Sequence, residues 1–177
     1  MRLIAAAWLL ALHCCAAFAQ PLEHEVKAAF LFKFLSFVEW PQAALGEVGP
    51  PLVIGVAGAE DAAAALEQMS AGRSAQGRPV EVRRLREGEP ATGVHMLFLA
   101  RGAAPRLREL GRAAPGQPLL VVCEWDGALD QGAAVNFVRA EGRVRFEVAL
   151  DAAERRGLRI SSRMLSVALN VRPARQQ

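Results

Sequence analysis

The sequence predicts an α/β fold: a three-layer α/β/α sandwich with a mixed, mostly parallel sheet and a C-terminal antiparallel hairpin. Short apolar runs alternate with helical patterns up to residue 123, which is typical of strands and helices arranged around a parallel sheet. Two alternating runs on either side of Ala140-Glu141-Gly142 then predict a β-hairpin, which adds the antiparallel part. A phenylalanine-rich segment, residues 23–41, predicts the helix around which the core forms.

The first 19 residues have the pattern of a secretory signal. Arg2 precedes the apolar run Leu3–Leu12, and Ala17-Phe18-Ala19 fits the small residues of a signal-peptidase site. We therefore expect residues 1–19 to be cleaved and residues 20–177 to fold as a single exported domain. No later apolar run reaches about 18 residues, so we expect the mature protein not to span a membrane.

Residues 23–41 predict an amphipathic core helix that Trp40-Pro41 ends, because a proline disfavours helical geometry at the residue before it. Lys27 lies near the centre of the apolar face. It must either extend to solvent beside Glu23, one turn earlier, or pair with another element, for which Glu147 of the hairpin is our hypothesis. The apolar residues that share this face at the helical advance of about 100° per residue are Val26, Ala28, Phe30, Leu31, Phe34, Leu35, Phe37 and Val38.

The polar side of the same helix carries Phe32, Ser36 and Trp40. Exposed aromatic rings on a polar face are typical anchors of binding interfaces. We interpret these three residues as a partner-binding surface. The alternative is that another segment of the fold covers the rings.

The middle of the chain supplies most of the sheet. Apolar runs that lack alternation are typical of strands covered on both faces, whereas the arginine-bearing run favours an edge or a half-exposed strand. Gly72 ends the first helix of this region, and Pro115-Gly116 breaks the second. The predicted order is strand Leu52–Val56, helix Asp61–Met69, strand Pro79–Leu85, strand His95–Leu99, helix Pro105–Arg112 and strand Pro118–Cys123.

The C-terminal part begins with the hairpin Val135–Arg139 and Arg143–Val148. Asp151 can then cap a short helix that stops at Gly157. Ser161 or Ser162 can cap a last helix, whose inner face would carry Met164, Leu165, Ala168 and Leu169.

Residue patterns with recognisable chemistry are sparse. Gly55-Val56-Ala57-Gly58 lacks the third glycine of a dinucleotide-binding loop, so a turn that enters a helix is the better interpretation. His24 and His95 are the histidines that remain after cleavage, which gives no zinc-binding pattern, and His95 fits a hydrogen-bonded structural histidine. We predict neither a metal nor a cofactor. With 21 basic and 18 acidic residues, the charge does not favour a nucleic-acid partner.

Cys123 becomes the sole cysteine of the mature chain, because Cys14 and Cys15 leave with the signal. An intramolecular disulfide is then excluded. Within its apolar run Cys123 is best explained as a small buried residue, and the alternative is an intermolecular disulfide in an oxidising compartment.

Four blocks of the chain together resemble the YfiR-like family of bacterial periplasmic proteins. They are E-V-K-A-A-F-L-F-K-F-L-S-F-V-E-W-P (25–41), H-M-L-F-L (95–99), V-R-F-E-V (144–148) and G-L-R-I-S-S-R-M-L (157–165), in the family's order. The resemblance spans nearly all of the mature chain. The residues that occupy its blocks, and that we expect to be mainly structural, are Lys27, Phe30, Phe34, Phe37, Pro41, His95, Arg143, Phe146, Glu147, Gly157, Leu158, Ser161 and Ser162.

This resemblance implies a function that spacing alone does not show. Proteins of this type are periplasmic repressors, not enzymes. They bind the extracytoplasmic sensor part of a membrane diguanylate cyclase and keep cyclic di-GMP and biofilm formation low. They commonly carry disulfide cysteines, one of them directly before the histidine of the H-x-L-F strand, where this chain has Val94. Intramolecular redox switching is therefore not expected here.

Two alternatives stay open at this stage. The protein could be a small-ligand sensor or carrier that uses the crevice at the carboxyl ends of the strands, near Gly55–Ala59 and Gly102–Pro105. A hydrolase is less favoured, since no G-x-S-x-G is present. The partner could be a membrane sensor other than a cyclase, and the sequence leaves a homodimer open.

Overall fold

The computed structural model describes residues 22–46, 49–113 and 117–174. The predicted signal with Cys14 and Cys15, and the predicted helix break at Pro115-Gly116, lie outside these residues. Within them the predicted fold class is confirmed: helices pack on a mixed, mostly parallel sheet of eight strands that includes an antiparallel hairpin.

The main sheet has the order β10-β8-β7-β6-β5-β2-β4-β3, and β1 and β9 form a separate antiparallel pair. Neighbouring strands from β4 to β7 run parallel, whereas β7 and β8 form the predicted hairpin and β3 pairs antiparallel with β4. The strands are β1 Val38–Glu39, β2 Leu52–Ala57, β3 Ser74–Ala75, β4 Arg78–Arg84, β5 Met96–Leu99, β6 Leu120–Cys123, β7 Val135–Ala140, β8 Arg143–Ala149, β9 Arg159–Ile160 and β10 Asn170–Arg172.

Helices connect and cover these strands. They are α1 Glu23–Phe37, α2 Gln42–Leu45, α3 Glu60–Ser70, α4 Ala104–Ala113, α5 Leu150–Glu154 and α6 Ser162–Leu165, and a 3-10 turn, Arg101–Ala103, leads into α4. The crossovers from β2 to β4 and from β5 to β6 move in opposite directions along the sheet. Because such crossovers are right-handed, α3 and α4 cover opposite faces, which gives the three layers.

Helix α1 packs on the sheet through its phenylalanines. The ring of Phe34 lies 6.0 Å from that of Phe137 on β7 and 5.0 Å from that of Phe146 on β8. Phe30 contacts the same two rings at 6.0 and 5.4 Å. The two contacts with Phe146 are edge-to-face, and aromatic pairs of this kind add about 0.5–1.5 kcal/mol each to the burial of apolar area. The first helix is thus fastened to the C-terminal hairpin.

The predicted C-terminal end of the first helix is wrong by three to four residues. The helix stops at Phe37, and Val38 and Glu39 form a strand paired with Ile160 and Arg159. The Phe37 carbonyl, which would be free at the helix end, accepts the N–H of Ser161 at 2.9 Å. Valine is favoured in strands, so the last residues of the segment pair with a strand that lies over a hundred residues later in the sequence.

The predicted last helix is also too long. Ser161 is the cap, and its Oγ accepts the N–H of Met164 at 3.4 Å, but α6 ends at Leu165. The Leu169 N–H donates to the Phe146 carbonyl at 2.8 Å, and the chain continues as β10, parallel to β8. Leu169 is therefore 46% exposed rather than on the inner face of a helix.

Candidate functional site

A charged cavity of about 410 Å³ lies between the start of α1 and the carboxyl ends of β6 and β7. Lys27 lines it and is held between two carboxylates. Its Nζ donates to Glu23 Oε1 at 2.6 Å and to Glu124 Oε2 at 2.7 Å. Arg139 extends the chain of ion pairs, since its Nη1 lies 3.0 Å from Glu23 Oε2. Four charged side chains from three parts of the sequence thus tie α1 to the sheet.

The structure brings Lys27 to a carboxylate of another element, but the predicted partner Glu147 is wrong. Side chains alternate along a strand, and Phe146 of β8 faces α1. Glu147 therefore points to the other face of the sheet, where its charge acts on Arg172 of β10. Glu124, which follows β6, is the residue that pairs with Lys27 instead of Glu147. One sequence signal could have identified Glu124: it directly follows the buried strand β6, and its side chain therefore lies at the carboxyl end of the sheet, where Lys27 also lies.

The ion pairs fix the protonation of this cavity. Burial alone would lower the pKa of Lys27, but the hydrogen bonds that its ammonium donates to Glu124 and Glu23 outweigh burial and raise it. The hydrogen bond from Lys27 in turn lowers the pKa of Glu23. A lysine with a raised pKa and two bound carboxylates is a poor base or nucleophile. The arrangement is suited to fastening a helix.

The expectation that Phe32 and Trp40 are exposed is wrong. Phe32 is 7% exposed, and the guanidinium of Arg73 lies 4.2 Å from the centre of its ring. Trp40 is 6% exposed, and its Nε1 donates to the His95 carbonyl at 3.2 Å. Other segments cover both rings, which was the alternative interpretation. Ser36 lies on the exposed surface of α1.

His95 forms hydrogen bonds within the fold. Its Nδ1 accepts the Val53 N–H at 3.1 Å, so this nitrogen carries no proton. Burial lowers the pKa of His95, and the charge of Arg78 lowers it further, against a hydrogen bond with the backbone of Ala44. The imidazole therefore joins β2, β5 and the segment after α1 as a neutral ring.

The remaining family-block residues lie at joints of the fold. Gly157 has φ +69°, and a Cβ there would come within 3.3 Å of Pro41 Cγ, so the turn before β9 contacts the start of α2 closely. Leu158 is buried beside it, Phe37 is half-buried, Arg143 is exposed at the start of β8, and Ser162 begins α6.

Cys123 is a free thiol with no exposed surface, as the sequence indicated. Burial, and then the charge of Glu124, raises its pKa well above the usual range. Among the described residues, no group of three or more His, Cys, Asp or Glu side chains is placed to hold a metal ion.

The β10 edge carries two exposed apolar side chains, of which Leu169 was predicted to lie on the inner face of the last helix. Val167 and Leu169 are 56% and 46% exposed, and together with β10 we call them the β10 edge. Among the strands that the structure describes, β10 pairs only with β8, so the backbone groups of its other side form no strand pair there.

No helix in the described part of the chain is long and apolar enough to cross a membrane. The comparison with curated proteins gave no match. The model of the YfiR/HmsC-like family matches residues 24–169, from the second residue of α1 to the residue before β10. Because that match covers well over half of the chain, this protein belongs to the YfiR/HmsC-like family.

Proposed function

We propose that this protein is a periplasmic regulatory binding protein that represses a membrane-bound diguanylate cyclase by binding its extracytoplasmic sensor domain. The observation that carries the proposal is the family membership over residues 24–169. The cleaved signal predicted at residues 1–19 would deliver the chain to that compartment. Repression needs no chemistry from this chain. It requires only that the protein bind the inactive arrangement of the sensor more tightly than the active one.

We assign the contact with the sensor domain to the β10 edge. An unpaired sheet edge can accept an extended segment of a partner through backbone hydrogen bonds, and neighbouring apolar side chains add area to be buried. Val167 and Leu169 supply that area here. The covered rings of Phe32 and Trp40 do not offer a comparable surface, although Ser36 on α1 stays accessible to a partner.

The proposal is tested by deleting the gene and measuring cyclic di-GMP. We expect the level to rise and to return to normal when the wild-type chain is supplied. An unchanged level after deletion contradicts the repressor function. Mass spectrometry of the protein from a periplasmic extract provides a separate check, and we expect its N-terminus at Gln20.

Leu169→Asp tests the assigned surface. A charge on the β10 edge should abolish complementation of the deletion, because binding would then bury an unpaired carboxylate. Leu22→Asp is the matched control, since Leu22 is a similarly exposed leucine (58%) in another part of the chain. Equal complementation by both variants rejects the β10 edge while leaving the repressor function intact. Ser36→Glu then tests the outer face of α1.

A further inference from the structure

A second large cavity, of about 490 Å³, lies at the carboxyl ends of β2 and β5. These two strands are neighbours, but the chain leaves β2 through α3 towards β4 and leaves β5 through α4 towards β6. The two connections diverge on opposite faces of the sheet and open a crevice between them. In open α/β sheets ligands bind at such points, and small-molecule sites enclose roughly 300–1,000 Å³.

Small residues keep this crevice open. Ala57, Gly58, Gly102 and Ala103 line it, and none has a side chain long enough to fill it. Gly58 has φ +76°, a conformation that other residues rarely adopt, and its backbone passes close to Ala103. The two turns that follow β2 and β5 therefore approach each other without closing the cavity.

The outer wall of the cavity is held in place. Arg106 of α4 donates from Nη1 to the Arg86 carbonyl at 2.9 Å, and its Nη2 donates to the Glu89 carbonyl. The Arg86 N–H donates to Glu89 Oε2 at 3.1 Å. These bonds fix the loop after β4 against α4, so the site is formed before any ligand arrives. Binding then carries a smaller ordering cost.

The lining combines an apolar floor with charges of both signs. Ala57 and Leu85 are buried at the floor. The Arg86 side chain is exposed and has no hydrogen bond or ion pair to any residue that the structure describes. Glu87 and Glu109 are also exposed and line the same cavity. Arg106 also lines the cavity, but its guanidinium is bound to two backbone carbonyl groups. The two carboxylates balance the charges of the two arginines, so the free Arg86 favours a single negative charge over a multiply charged anion.

We propose that this crevice is a binding site for a small organic monocarboxylate with an apolar body. The apolar part lies on Ala57 and Leu85, and the carboxylate pairs with Arg86. The site lies apart from the β10 edge, because β2 and β10 are separated by four strands of the sheet.

Benzoate is a suitable probe, with neutral benzamide and doubly charged phthalate for comparison. Backbone amide spectra of the isotope-labelled mature chain should show saturable shifts at Gly58, Gly88 and Gly102, with Kd on the order of 1–10 mM for a molecule of this size. We expect benzamide and phthalate to bind at least about fivefold more weakly. No saturation by about 50 mM benzoate, shifts confined to other residues, or equal binding of the three probes overturns the proposal.

Two variants localise the binding. Arg86→Gln should weaken benzoate at least about threefold, whereas Arg108→Gln, an exposed arginine of α4 outside the cavity lining, should not. Gly102→Leu should block the cavity, and a Cβ at Gly102 meets no atom within 4 Å, so the fold should tolerate it. Equal affinity of the two arginine variants, or unchanged binding by a folded Gly102→Leu protein, contradicts the site. The measurement uses this chain alone and is independent of the regulatory partner.

Discussion

Lys27 lies between two carboxylates that come from different parts of the chain, Glu23 one turn earlier and Glu124 after β6. The Lys27 and Glu124 side chains are 14% and 20% exposed, so water screens their interaction less than it screens a surface pair. The pair stabilises the fold only while both charged groups are present. Removal of one partner leaves the other desolvated without compensation.

We expect Lys27→Met to lower the free energy of unfolding by about 1–3 kcal/mol, because Glu124 loses its partner in a mostly buried position. Arg84→Met is the control. It removes the exposed pairs of Arg84 with Glu67 and Glu60, and it should cost less than about 1 kcal/mol because the Arg84 side chain is 45% exposed. Urea unfolding at neutral pH measures both values. Equal losses would show that burial of the Lys27 pair contributes nothing extra.

His95 gives a pH dependence whose direction follows from its lowered pKa. The unfolded chain binds a proton near pH 6.5, and the folded chain binds it only at lower pH. The contribution of neutral His95 to stability is thus complete above pH 6.5 and is lost as the pH falls through the folded pKa. We expect the free energy of unfolding to decrease below pH 6.5 less steeply for His95→Gln than for the wild type. Identical slopes in urea titrations between pH 7.5 and 5 contradict this.

At the scale of elements, the C-terminal end of α1 is capped by a side chain from a distant turn. Gln76 donates from Nε2 to the Leu35 carbonyl at 2.5 Å and to the Val38 carbonyl at 2.8 Å. It does so from the turn between β3 and β4 with φ +52°, an uncommon value for a residue other than glycine. The backbone cost of that conformation is offset by the free carbonyl groups that the side chain satisfies.

Gln76→Gly separates these two effects. Glycine relieves the backbone but removes both hydrogen bonds, so we expect a net loss of about 1–2 kcal/mol in the free energy of unfolding. Glu141→Gly is the matched control, because Glu141 has the same φ of +52° in the turn between β7 and β8. That change should stay within about 0.5 kcal/mol of the wild type. A Gln76→Gly protein as stable as the control would rule out the capping role.

The sequence predicts those elements whose conformation is set by neighbouring residues, and it misses those set by distant pairing partners. The strands β2, β5 and β6 and the hairpin β7–β8 are encoded by local patterns. The ends predicted for these strands lie within two residues of the observed ends. The end of α1 and the strand β10 are decided by distant partners, Ile160 for Val38 and Val148 for Val171. No pattern within those short segments specifies such a partner.

At the scale of the whole molecule, alternation predicts the layers but not the order of the strands. The crevice at the ends of β2 and β5 could be placed from the sequence because glycines and alanines follow both runs. The charged cavity could be placed only in part: Lys27 was identified, but Glu124 lies in a polar stretch with no periodicity. The same limit explains Phe32 and Trp40, whose rings are covered by residues distant in sequence, among them Arg73 and His95.

Cys123 provides a test of the folded molecule as a unit. It is central in the sheet and fully buried, so we expect a thiol reagent such as Ellman's reagent to modify the native mature protein at least about 100-fold more slowly than the urea-unfolded chain. Gel migration should not change with reducing agent. Rapid modification of the native protein contradicts the buried position. A dimer that a reducing agent converts to monomers favours the intermolecular disulfide.

The contact of α1 with the hairpin also governs the order in which the molecule can form. The phenylalanines of the first helix bury themselves against Phe137 and Phe146, about a hundred residues later in the chain. In a chain that emerges N-terminus first, the phenylalanine face of α1 therefore stays uncovered until β7 and β8 exist. Contacts of such long sequence separation slow folding and leave time for aggregation. The first helix of the mature chain thus completes its packing late, and its phenylalanine face is the part of the newly exported chain that a chaperone would need to shield.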